Sequence, residues 1–152
     1  LMVNDPMSQI KFFAEAGADL ISFHTESRSN AKETLELIRS CGVKSALAVK
    51  PGTPVGEVYP LLPLCDMVLV MTVEPGYGGQ AFIPETLEKI KALRAHAGEA
   101  LDIEVDGGIN GKTAPLVKEA GANVLVAGTG LFKAENMAQA NAALKASQKG
   151  AE

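Results

Sequence analysis

Five short apolar runs, at residues 20–24, 45–49, 67–73, 102–106 and 123–127, alternate along the chain with longer stretches of helical period. Few patterns restrict a fold more. Strands separated by helix-sized crossovers pair in parallel, so the alternation predicts repeated βαβ units. The amphipathic stretches fall at 6–16, 29–40, 54–62, 84–96, 111–120 and near 136–148. Gly17, Gly42 and Gly121 stand where a helix C-terminal glycine belongs, each shortly before the next run. Leu1-Met2-Val3, followed by a turn at Asn4-Asp5-Pro6, reads as the tail of a sixth strand. Strand starts recur about every 26 residues, the size of one unit of a TIM-type (β/α)8 barrel, and eight units need roughly 200 residues. The 152 residues present hold about six. No linker or change of composition interrupts them, which predicts a single, partial βα-barrel domain over 1–152.

The alternation of side chains along each strand separates a barrel from an open sheet. Leu101, Ile103 and Val105 oppose Asp102, Glu104 and Asp106; Ile21 and Phe23 oppose Ser22 and His24; Ala46 and Ala48 share a face with Lys50. An open sheet covered by helices on both sides needs two apolar faces. A barrel puts one face under helices and the other into a narrow interior that ends at a mouth, and this pattern fits the barrel.

Composition removes several functions. Fourteen basic against 18 acidic residues give a net charge of −4, which offers no basic footprint for nucleic acid. No apolar run approaches the roughly 20 residues needed to cross a bilayer. Cys41 and Cys65 form no CxxC or Cys/His cluster, so neither a disulfide framework nor a zinc site is indicated, and a reducing, cytoplasmic compartment is expected. The chain opens on Leu1 without a charged n-region or a cleavage pattern, and residues upstream of it are expected.

In βα barrels reactive groups lie at the carboxyl ends of strands. Three glycine-rich loops occupy such ends: Glu74-Pro75-Gly76-Tyr77-Gly78-Gly79-Gln80, Asp106-Gly107-Gly108 and Gly128-Thr129-Gly130. Glycines let the backbone approach an anion and turn successive N–H groups toward it, and a following helix N-terminus adds a favourable field. Phosphate binding by these loops is the expectation. Asp106 ends an apolar strand beside them, where a carboxylate can act as general acid, base or metal ligand. Its alternative role is that of a turn residue capping the next helix, although Asn110 and Thr113 stand closer to that helix for capping. His24, with Glu26 nearby, reads as a hydrogen-bonded structural histidine. With His96 the only other histidine, the sequence builds no multi-histidine metal site by itself. Lys50, before Pro51-Gly52-Thr53, reads as a solvated or ion-paired lysine at the barrel mouth, with a Schiff-base role as the alternative. Met2, Met67 and Met71 read as core, or for Met2 and Met71 as an apolar lid over a reacting carbon.

The segments Leu69-Val70-Met71-Thr72-Val73-Glu74-Pro75-Gly76-Tyr77-Gly78-Gly79-Gln80-Ala81-Phe82 and Ile103-Glu104-Val105-Asp106-Gly107-Gly108-Ile109 closely resemble the ribulose-phosphate 3-epimerases. Further matches at Leu1-Met2-Val3, Ala16-Gly17-Ala18-Asp19, His24-Thr25-Glu26, Ala48-Val49-Lys50-Pro51-Gly52-Thr53 and Val126-Ala127-Gly128-Thr129 follow the family order. The resemblance implies a ribulose-phosphate-binding barrel that interconverts D-ribulose 5-phosphate and D-xylulose 5-phosphate in the pentose phosphate pathway. Two aspartates on opposite sides of carbon 3 would exchange its proton, with a divalent cation (Zn, Fe, Mn or Co) between them. It implies that Asp106 is one of these aspartates, a metal ligand and proton donor. It further implies that Gly76, Tyr77, Gly78, Gly79, Gly107, Gly108, Gly128 and Thr129 bind substrate and its phosphate, and that Met2 and Met71 cap the intermediate. Thr129 stands for the family's common Ser and Gly130 for its usual Ala.

The family pattern also includes two earlier βα units carrying a substrate-binding Ser, a His and the second catalytic Asp, and a further His directly before the Leu-Met-Val. None has a counterpart here. The chain alone is therefore expected to have at most residual activity, and to be marginally stable or a homo-oligomer, because open strand edges invite association. A Lys50-dependent aldolase or lyase, and a non-catalytic remnant that binds sugar phosphates or a full-length partner, are the alternatives.

Overall fold

The computed structural model describes residues 1–146. Five strands, β1 (Leu20–His24), β2 (Lys44–Val49), β3 (Met67–Met71), β4 (Asp102–Asp106) and β5 (Val124–Val126), form one parallel sheet in sequential order. Each strand pairs with the next through a helical crossover, as the alternation predicts. The result is an incomplete βα barrel. Leu1–Val3 makes no strand ladder among the described residues, so the predicted sixth strand is not formed there. Its end nevertheless lies beside β1: the Leu1 ammonium donates to the Ser22 carbonyl, and the Arg28 amide donates to Asn4 at 2.8 Å.

The helices are α1 (Ile10–Glu15), α2 (Ala31–Ser40), α3 (Thr86–Ala97), α4 (Ala114–Glu119), α5 (Thr129–Phe132) and α6 (Met137–Ala146). The predicted stretch at 6–16 begins instead as a 3₁₀ turn, Met7–Gln9. The stretch at 54–62 is 3₁₀ throughout, Val55–Leu64, since Pro60 and Pro63 lack the N–H donors that an α-helix needs. The stretch at 111–120 starts three residues late, at Ala114, because Asn110 and Thr113 hold the intervening turn. Helix α5 has no counterpart among the predicted stretches, and Gln148, the predicted end of the last one, lies outside the described residues.

Register explains the two faces. Phe23, Leu47, Val68 and Ile103 are aligned across β1 to β4 and fully buried against Ile10, Leu35, Ile38, Val58, Ile90 and Leu93 of the crossovers. Burying side chains of that size contributes about 1.5–3 kcal/mol each, so this face dictates the fold. The opposite face carries Ser22, Ala46, Met67 and Asp102 in one layer. Above it, toward the carboxyl ends, come His24, Ala48, Leu69, Glu104 and Val124. The uppermost layer joins Met71, Asp106 and Val126.

Candidate functional site

Asp106 reaches the mouth because its strand keeps a strict apolar and acidic alternation to its last residue. Its register neighbours are Met71, which is 4% exposed, and Val126. These apolar flanks half-bury the carboxyl, and burial raises its pKa above the ordinary aspartate value. One layer below, the Glu104 carboxyl is also raised, first by burial and then by the charge of Asp106. The Asp106 carboxylate accepts no hydrogen bond among the described residues. The turn it could have capped is served by Asn110, whose Oδ1 accepts from the amides of Lys112 at 2.8 Å and Thr113 at 3.3 Å. The capping alternative is therefore not realised, and the group is free for chemistry.

Above Asp106 lies a cavity of about 370 Å³, lined by all eleven residues singled out from the sequence: Met2, Met71, Gly76, Tyr77, Gly78, Gly79, Asp106, Gly107, Gly108, Gly128 and Thr129. They differ in how firmly they are held. Met71 is buried, whereas Met2 is 62% and Tyr77 75% exposed, so those two stand at the rim. Val73, Glu74, Pro75, Gln80, Ile109 and Val126 complete the lining. Gln80 was legible only as the end of its loop; its amide donates to the carbonyls of Glu74 at 2.6 Å and Tyr77 at 2.9 Å and fixes that loop's curl.

The loops interlock through backbone that only glycine allows. At Gly107 and Gly108 φ is +126° and +65°, and a Cβ there would stand 2.5 Å from a Val73 methyl and 2.7 Å from the Phe82 amide nitrogen respectively. The Gly107 carbonyl accepts from the Thr72 hydroxyl at 2.6 Å, and the Gly108 carbonyl from Thr113 Oγ1 at 2.9 Å and Asn110 Nδ2 at 3.1 Å. The lining holds no Lys, Arg or His, and its charged side chains are Glu74 and Asp106. An anion seated there would be held by main-chain N–H groups. The helix field anticipated from the sequence is small, since α4 and α5 run to only 6 and 4 residues.

Among the described residues no group of three or more His, Cys, Asp or Glu could hold a metal ion. A divalent cation takes several ligands. The donor set present does not by itself fit the metal that the resemblance implies; the lining offers two carboxylates, those of Asp106 and Glu74.

Beside this cavity, and sharing Met2 and Pro75 with it, is a recess of about 250 Å³ lined also by Val3, Asn4, His24, Glu26, Ser27 and Lys50. Lys50 thus faces the recess and does not line the Asp106 cavity. His24 is buried, with Nδ1 3.3 Å from Glu26 Oε2, the structural role expected of it. Burial pushes the Glu26 carboxyl up, but hydrogen bonds from His24, Thr53 and the Lys50 amide (2.8 Å) outweigh it and hold the pKa at about 2. A larger recess, about 570 Å³, opens at the amino ends of the strands, around Leu20, Lys44, Asp66 and Asp102. Its two aspartates are spent on neighbours outside the lining: Asp66 accepts from the Ser45 amide at 2.8 Å and Asp102 from Asn123 Nδ2 at 2.7 Å. Tyr59 and His96 stack with ring centroids 3.9 Å apart, and burial raises the Cys65 thiol to about 12, which leaves no thiolate.

Residues 1–132 match the ribulose-phosphate 3 epimerase family. The chain is 48% identical to the ribulose-phosphate 3-epimerase of Eremothecium gossypii over 88% of its own length, and spans 56% of that relative. It is 47% identical to the Bacillus subtilis enzyme of the same name, covering 87% of this chain and 63% of that one. It is 44% identical to the cytoplasmic isoform of Oryza sativa, covering 100% and 68%. Among solved structures, a 3-hexulose-6-phosphate synthase from Salmonella typhimurium superposes with a TM-score of 0.69 at 17% identity, over 96% of this chain and 69% of that one. At that identity the likeness shows the barrel fold alone.

Proposed function

The chain belongs to the ribulose-phosphate 3-epimerase family, and we propose that its cavity binds a pentulose 5-phosphate and moves the proton on one face of carbon 3. Asp106 is the acid and base of that face. The observation that carries this reading is the free, half-buried carboxylate of Asp106 set against loops of glycine amides in one cavity. The amides of the 107–108 and 128–129 loops take the phosphate, the buried Met71 gives the reacting carbon an apolar neighbour, and Met2 covers it from the rim. Interconversion of D-ribulose and D-xylulose 5-phosphate needs a second acid and base on the opposite face. In this reading Asp106 supplies one of the two.

Residues 1–152 act as one domain in this reading. Free cysteines and the cytoplasmic relative from Oryza support a cytoplasmic site of action, and no described helix is long and apolar enough to cross a membrane. No observation favours a Lys50-dependent lyase, since that ammonium lies outside the lining of the Asp106 cavity.

The test is hydrogen exchange at carbon 3 in D₂O, followed by NMR. Asp106 takes the carbon 3 proton, the electron pair passes to the carbon 2 oxygen, and a deuteron returns from the same carboxyl. D-xylulose 5-phosphate is expected to exchange slowly without epimerising, and Asp106→Asn to abolish the exchange. Equal exchange in the variant would overturn the assignment.

A further inference from the structure

The carbonyls of Lys50, Pro51 and Thr53, on the loop that follows β2, converge on one point. Lys89 of α3 fills it. Its ammonium donates to the Lys50 carbonyl at 2.7 Å, to the Pro51 carbonyl at 2.9 Å and to the Thr53 carbonyl, so that all three of its N–H bonds end on one loop. The same loop is tied from its other side. The Lys50 amide and the Thr53 side chain hydrogen-bond to Glu26, and the other Glu26 oxygen meets His24. Lys50, Glu26 and His24 all line the recess that adjoins the Asp106 cavity through Met2 and Pro75. The Ser27 hydroxyl, buried and without a hydrogen-bond partner among the described residues, lies in the same lining.

We propose that Lys89 is a positioning residue of the site, which holds the 50–53 loop in the one shape that presents Lys50, Glu26 and His24 to the recess beside Asp106. This deepens the reading above and rests on it, because the recess then receives the end of the sugar remote from the phosphate. An ammonium suits the task. Three backbone carbonyls pointing together cost free energy unless a donor meets each of them, and a single lysine meets all three. Burial lowers the ammonium's pKa, while the carboxylates of Glu26, Glu74 and Glu57 act in the opposite direction and favour its charge. The titratable groups around Glu26 come from three elements: His24 from β1, whose ring nitrogen meets it, Lys50 from the loop after β2, which lines the same recess, and Lys89 from α3.

The test compares the 152-residue chain with Lys89→Met and Lys89→Arg. Side-chain NMR of Glu26 is the first readout. In Lys89→Met the loop loses its clamp, and the Glu26 midpoint is expected to rise from about 2 by a unit or more; an unmoved midpoint overturns the proposal. If Lys89→Met does not fold, Lys89→Arg, which keeps the charge without the three-pronged geometry, is judged by the same rise. The second readout is calorimetric binding. Affinity for D-ribulose 5-phosphate is expected to fall about three- to tenfold, the scale of one or two lost hydrogen bonds, while that for inorganic phosphate, which occupies only the glycine loops, stays unchanged. An equal fall for both ligands means a general loss of structure and overturns the positioning role. If the unmodified chain binds neither ligand, the sugar-phosphate reading fails, and the Glu26 titration still decides the role of Lys89.

Discussion

Two carboxylates, one at the end of β4 and one just after β1, show how local contacts assign different tasks to one functional group. Asp106 has apolar flanks and no donor, so its proton is held more tightly than usual; Glu26 is ringed by donors and held at about 2. The second case has a consequence for stability. A carboxyl depressed in the folded state stabilises it at every pH above the unfolded value, near 4.5, and the contribution fades as pH falls toward 2. Glu26→Gln is therefore expected to unfold more readily than the unmodified chain at pH 7, with the gap closing between pH 4.5 and 2 in denaturant titrations. A gap that is constant with pH would refute this. Asp106 itself was legible in the sequence, because it ends an alternating strand and precedes two glycines. Lys89 was not. One lysine on an amphipathic stretch looks like any solvated one, and only the fold reveals three carbonyls waiting 36 to 39 residues away.

Strands were easier to place than helices. The predicted runs at 20–24 and 102–106 coincide with β1 and β4, since a buried strand closed at each end by a turn or bend leaves little freedom in its limits. The run at 67–73 extends two residues beyond β3. Thr72 and Val73 are as buried as strand residues, but there the contacts pass to the loops, the Thr72 hydroxyl donating to the Gly107 carbonyl. Helical period alone did not separate α from 3₁₀ at Val55–Leu64, where the prolines decide. Helix α2 obeys local chemistry more closely: Asn30 Oδ1 accepts from the Glu33 amide at 3.1 Å, and the helix begins at the next residue. Asn30→Ala is expected to cost about 1 kcal/mol, seen as a lower thermal midpoint, with ligand binding unchanged. A neutral result would mean that the burial of Leu35 and Ile38 alone sets this helix.

At the scale of the molecule, the sheet ends at β1 on one side and β5 on the other, and among the described residues neither outer edge is paired along its length with another strand. Main-chain donors and acceptors are offered there. Phe12 on α1 and Phe132 on α5 add apolar surface, at 67% and 76% exposure. The 152-residue chain is expected to associate, with a mass by light scattering above 15.9 kDa and a melting temperature that rises with concentration. A sharp, concentration-independent transition of a monomer would refute this. The cavity has a different lesson for anyone who maps it by mutation. Where the groups that grip a ligand are peptide nitrogens, alanine scanning removes none of them, since every substituted residue keeps its amide, and at Gly107 and Gly108 it reads the clash of the new Cβ instead. Only replacing individual peptide bonds by esters would remove one handhold at a time.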